Sequence, residues 1–149
     1  MTPPTGIPAP TFAATNQFGE RVVVEYDRPT VLFFYPRDGT PGCTTEATEF
    51  DEQLDTFESA GVAVYGLSTD DEESHREFAA DHDLEVPLLA DPEGNVAEAF
   101  DVPVTDGAAQ RTTLVVVDGT VRAVYEGVAP EGHARDVVDD LAETGLVRP

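Results

Sequence analysis

The hydrophobic positions along the chain change period several times, and each change marks an element. Phe12 to Thr15 and Arg21 to Val24 read as short strands around Asn16-Gln-Phe-Gly19, which predicts an N-terminal β-hairpin. Thr30 to Tyr35 is a mostly apolar, aromatic-rich run, as expected of a strand in the middle of a sheet. Beyond it, Ala47, Phe50, Leu54 and Phe57 recur at three and four residues, predicting a helix from Thr44 to Ala60 closed by Gly61. Val62 to Leu67 predicts a strand, Asp71 to about Asp81 a helix, and Val86 to Ala90 another strand. The turn Asp91-Pro-Glu-Gly94 then leads to a short helix, Asn95 to Phe100. Thr112 to Val117 and Val121 to Tyr125 flank Asp118-Gly119, a strong hairpin signal, and a last helix is predicted from Glu131 to Glu143. Strands alternating with helices, then a hairpin before a final helix, predict an α/β fold. Its mixed central sheet has helices on both faces.

The length of 149 residues suits one domain over 1–149 with a sizeable core. No apolar run approaches a membrane span, and the first residues lack the charged and apolar regions of a signal peptide. Thirty acidic residues against eight basic ones give a formal net charge of -22, and every basic residue is arginine. Nucleic acid is disfavoured as a partner, because phosphate contacts need a basic surface. The acids are interleaved with apolar residues at regular spacing, which points to a folded domain with an acidic surface rather than to a disordered tract. An acidic, lysine-free surface is similar to that of halophilic proteins. In molar salt the Debye length is about 3 Å, short enough to quench the self-repulsion.

The candidate chemistry lies between the aromatic strand and the helix that follows. Cys43 is the only cysteine, so no internal disulfide can form, and a cytoplasmic protein with a free thiol is expected. It ends the run Pro36-Arg37-Asp38-Gly39-Thr40-Pro41-Gly42-Cys43, near a predicted helix N-terminus. Backbone N–H groups and the helix dipole favour negative charge there, so a thiol in that position is inclined to ionise, and the thiolate is the nucleophile. Thr40 has a hydroxyl three residues earlier and is also a candidate N-cap. Acids at Glu46, Glu49, Asp51 and Glu52 are expected to load the early turns of the helix. His75 and His82 are read as a solvated helix face, too far apart to share a metal, and His133 has no partner in view. Neither a metal nor another cofactor is expected.

Pro36-x-x-x-Thr40-x-x-Cys43 matches the peroxiredoxin signature, and the wider run from Phe34 to Ala47 resembles the bacterioferritin-comigratory, or Q-type, subgroup. The resemblance continues through Gly66-Leu-Ser-Thr-Asp70, Val86-Pro-Leu-Leu-Ala-Asp91 and Arg111-Thr-Thr-Leu-Val-Val-Val-Asp118. It implies a thioredoxin-like fold in its peroxiredoxin version. It also implies reduction of hydrogen peroxide and organic hydroperoxides through a Cys43 sulfenic acid. Thr40 and Arg111 would hydrogen-bond the thiolate and the peroxide, with Gly42 and Cys43 completing the substrate site. Pro36 would shield the thiolate, and Glu46 would orient Arg111. In-line O–O cleavage builds negative charge on the departing oxygen, and donors aimed there act as an oxyanion hole does.

The chain departs from the subgroup at Thr48, where many members carry a resolving cysteine. The expectation is a one-cysteine cycle in which an external thiol, a thioredoxin-like protein or a small thiol, reduces the sulfenic acid, in a chain that is a monomer by default. Left waiting, a sulfenic acid is open to over-oxidation. A thioredoxin-type oxidoreductase would need a Cys-x-x-Cys pair, which is absent. The alternative from another class is a redox sensor or partner-binding protein that uses the same cysteine without turnover.

Overall fold

The computed structural model describes residues 5–127 and 129–143. The chain runs β1 (Phe12–Thr15), β2 (Arg21–Val24), β3 (Thr30–Phe34), α1 (Pro41–Glu52), α2 (Leu54–Ser59), β4 (Ala63–Ser68), α3 (Glu72–His82) and β5 (Leu88–Ala90). It continues through α4 (Asn95–Ala99), β6 (Val104–Thr105), β7 (Ala108–Ala109), β8 (Thr112–Val117), β9 (Thr120–Glu126) and α5 (His133–Glu143).

Five strands form the central sheet in the order β5-β4-β3-β8-β9. The β3–β4 and β4–β5 pairs are parallel, and β3–β8 and β8–β9 are antiparallel. The mixed sheet expected from the element order is therefore present, with the aromatic strand β3 at its centre. All five residues of β3 are buried because the strand faces a core on each side. Val31 and Phe33 join Phe50, Phe57, Phe78 and Val137 in one core, while Leu32 and Phe34 join Leu67, Leu89, Phe100 and Leu114 in the other. The first core is covered by α1, α2, α3 and α5, the second by α4 and the hairpin of β1 and β2.

Turn chemistry explains the two predicted hairpins. Asn16 Oδ1 accepts from the N–H groups of Phe18 and Glu20, while Gly19 takes φ +77°. Asp118 and Gly119 both have positive φ, as a two-residue turn matched to strand twist requires. Gln17 ties the first hairpin to the sheet: its side chain donates to the Val86 carbonyl and accepts from the Leu88 N–H.

The structure differs from expectation in the long helix. It starts at Pro41 rather than Thr44 and breaks at Gln53 into α1 and α2. The apolar spacing runs through the break, so periodicity alone did not show it. Because α1 begins earlier, its first turn holds no acid; Glu46 falls in the second turn. The small hairpin of β6 and β7, joined by Asp106-Gly107, was not expected. Among the described residues, no helix is long and apolar enough to cross a membrane.

Candidate active site

The central strand delivers the chain to the site. After Tyr35, the segment Pro36–Thr40 turns away from the sheet, and Pro41 and Gly42 open α1, with proline at a position where its missing N–H costs nothing. The first helical bond runs from the Thr44 N–H to the Thr40 carbonyl. The N–H groups of Gly42 and Cys43 therefore have no acceptor within the helix and point out of its positive end. Cys43 sits there with 1% exposure, at the edge of the core shared by Phe33, Tyr35 and Phe50.

Arg111 stands immediately before β8, the strand paired with β3, so the sheet carries it to the thiol across 68 residues of sequence. Its Nη2 donates to Cys43 Sγ at 3.5 Å, and its Nη1 donates to Glu46 Oε1 at 2.5 Å. One planar guanidinium thus serves the thiol and a carboxylate with separate arms. Gly42 leaves room for this arrangement: a Cβ there would lie 3.2 Å from Arg111 Nη2 and 3.3 Å from Pro130 Cγ, a tight fit that would press on the guanidinium.

Glu46 is 1% exposed, and its Oε2 has no hydrogen-bond partner. Burial pushes its carboxyl up to about 7, with Glu49 adding to the rise and Arg111 opposing it. The Arg111 guanidinium loses solvation, but the charges of Glu46 and Cys43 hold its proton more tightly than usual. Positive charge is therefore held on Arg111 beside the sulfur.

Thr40 is the N-cap of α1, but its hydroxyl makes no capping bond and donates to the Arg37 carbonyl at 3.1 Å. Pro36 is half-buried between strand and turn. The structure thus brings Cys43, Arg111, Glu46 and Gly42 into contact, and leaves the Thr40 hydroxyl turned to the backbone of its own loop.

Two histidines correct the sequence reading. His75 does not lie on a solvated face: it is fully buried, with Nδ1 2.7 Å from Asp38 Oδ2 and Nε2 3.2 Å from the Leu89 carbonyl. The signal was present, because His75, Phe78 and Ala79 share three- and four-residue spacing and form the buried stripe of α3. His82 is exposed, as expected. His133 has a partner after all: its Nε2 lies 2.8 Å from Thr113 Oγ1. Burial lowers its proton affinity, and Arg111 adds to that effect. Asp38, Asp70 and His75 bring ligand-type atoms within 4.8 Å of one another. Those atoms are spent on hydrogen bonds within the protein, described below.

A lone buried thiol at a helix N-terminus, with an arginine on its sulfur, is the arrangement that a thiol peroxidase needs. The AhpC/TSA family model matches residues 5–124. Peroxiredoxin Bcp of Bacillus subtilis is 41% identical over 153 residues, covering 96% of this chain and 98% of its own. The crystal structure of peroxidoxin BcpB from Mycobacterium tuberculosis superposes with a TM-score of 0.86 at 32% identity, covering 96% of this chain and 97% of that one. The Xanthomonas campestris bacterioferritin comigratory protein, studied for alkyl peroxide reduction, superposes at 0.82 with 29% identity, covering 89% and 91% of the two chains. The chain belongs to the AhpC/TSA family, in its Bcp/Q-type peroxiredoxin branch.

Proposed function

We propose that this chain reduces hydrogen peroxide and organic hydroperoxides by a one-cysteine cycle on Cys43. The observation that carries the reading is the 3.5 Å contact from Arg111 Nη2 to the sulfur of a cysteine seated at the start of α1. The Cys43 thiolate attacks the terminal peroxide oxygen, the O–O bond breaks, and the departing oxygen takes a proton to leave as water or an alcohol. Cys43 is then a sulfenic acid. Arg111 and the free N–H groups of α1 stabilise charge on the departing oxygen. Thr40 joins them by turning its hydroxyl from the Arg37 carbonyl to the peroxide, Pro36 shields the sulfur, and Glu46 orients Arg111.

The return half is intermolecular, because no second cysteine exists. An external thiol displaces water from the sulfenic acid to form a mixed disulfide, and a second thiol releases reduced Cys43. A thioredoxin-like protein or a small thiol fills that role. The chain does this as a single domain and as a monomer in the cytoplasm, its acidic surface suited to high salt.

The test is peroxide consumption by the purified protein in molar salt with excess dithiothreitol. Repeated turnover that disappears in Cys43→Ser is expected. Consumption of one equivalent followed by arrest would overturn the peroxidase reading in favour of a sensor.

A further inference from the structure

Asp38 lies inside the loop that carries the thiol, yet the chemistry above gives it no task. Its carboxylate is only 5% exposed. Four groups from three parts of the chain converge on this residue. Tyr35, at the end of the central strand, donates its hydroxyl to Asp38 Oδ1 at 2.6 Å. Ser74 Oγ donates to Oδ2 at 2.8 Å, and His75 Nδ1 lies 2.7 Å from the same oxygen. The Asp38 N–H donates to Asp70 Oδ2 at 2.7 Å, and that oxygen is held in turn by Ser68 Oγ at the end of β4.

His75 completes the set. Its Nδ1 faces a carboxylate and its Nε2 faces the Leu89 carbonyl of β5. A neutral imidazole has one donor, so only a ring carrying both protons, or a proton shared with Asp38, satisfies both contacts. The pair is a buried clamp. On one side it is fixed to α3 and β5, and on the other it grips the turn between β3 and α1. The next residue, Gly39, takes φ +78°, so the chain reverses immediately past the grip and enters α1 two residues later.

We propose that Asp38 and His75 are positioning residues for the peroxide-reactive form of Cys43. They set where α1 begins and therefore where the sulfur meets Arg111. The inference rests on Cys43 being the peroxidatic residue. A shift of about 1 Å in reacting groups can cost roughly 100-fold in rate, whereas attack by an external thiol on sulfenic Cys43 needs the loop to yield. Loosening the clamp therefore slows oxidation and does not slow reduction.

The experiment separates the two half-reactions in molar salt. Rapid-mix peroxide oxidation, quenched with dimedone and read by intact mass, gives the first. Dithiothreitol reduction of preformed sulfenic acid gives the second. His75→Phe keeps a ring but takes the imidazole from the buried Asp38 carboxylate, which keeps only Tyr35 and Ser74. The double variant Asp38→Asn with His75→Phe removes that charge and recovers thermal stability. Both variants are expected to oxidise at least ~10-fold more slowly, with reduction no slower than in the unaltered protein. Wild-type oxidation rates in the folded double variant, or equal slowing of both half-reactions, would overturn the clamp. A failure of the unaltered protein to turn over peroxide would instead remove the peroxidase reading, and this inference with it.

Discussion

Replacing Glu46 by glutamine is expected to flatten the pH dependence of stability between about pH 4.5 and 7. In the folded protein this carboxyl is 1% exposed, has one oxygen on Arg111 and has no partner for the other. Burial raises it from an ordinary 4.5 to about 7 despite the arginine. Below about 4.5 the folded and unfolded chains both hold the proton, so the group favours neither. Between 4.5 and 7 the unfolded chain gives up its proton while the folded chain keeps it, so stability falls as pH rises. Above about 7 the loss is complete. At about 1.4 kcal/mol per pH unit, the rise is worth about 3 kcal/mol across the window. Glutamine has no proton to lose, so the term vanishes in the variant. The net charge of -22 also makes stability depend on pH, but both proteins share that background, and molar salt screens it. Urea denaturation midpoints of both proteins at four pH values, in molar salt, isolate the Glu46 contribution as a difference. Parallel curves for the two proteins would refute the argument, and so would a difference of the opposite sign.

Two further substitutions probe the site and its platform. Arg111→Ala removes the donor to the sulfur and leaves Glu46 buried without its cation, so peroxide oxidation is expected to slow by about 100- to 1,000-fold. Arg111→Lys is expected to restore little, because an ammonium lacks the planar fork that reaches both partners; oxidation rates within threefold of the unaltered protein in the alanine variant would remove Arg111 from the mechanism. Gly66→Ala places a Cβ 2.6 Å from Phe33 Cζ and 3.0 Å from Leu88 Cδ2. It is expected to cost about 1–3 kcal/mol in urea denaturation, and an unchanged midpoint would contradict the packing described here.

Much of the architecture was legible because its elements obey local rules. The turn residues of the two hairpins and the acid-led start of α3 are properties of a few neighbouring residues, and those hairpins and α3 appear where the local rules put them. The helix break at Gln53 was hidden because Ala47, Phe50, Leu54 and Phe57 keep one face on both sides of it. Pro36, Thr40 and Cys43 sit within eight residues and could be read as a unit. Asp38 stood among them unread because its partners come from β3, the end of β4 and α3. His75 was misjudged for a related reason: a histidine between acids looks solvated until the fold sets its Nδ1 2.7 Å from a carboxylate 37 residues away.

The chain by itself determined that a thiol would stand at a helix start, that no second thiol could answer it, and that any reductant must come from outside. Those statements follow from residue identity and short-range backbone geometry, which no folding event alters. Only the tertiary structure decided what surrounds the sulfur. Antiparallel pairing of β3 with β8 brings Arg111 to Cys43 over a separation of 68 residues, and that pairing depends on the register of a whole sheet. Burial decided the rest. The same carboxyl that would be an ordinary acid on a solvated helix becomes, at Glu46, a group that holds its proton to about pH 7. Desolvation and the distance to a single guanidinium are properties of the packed molecule, and no local pattern encodes them.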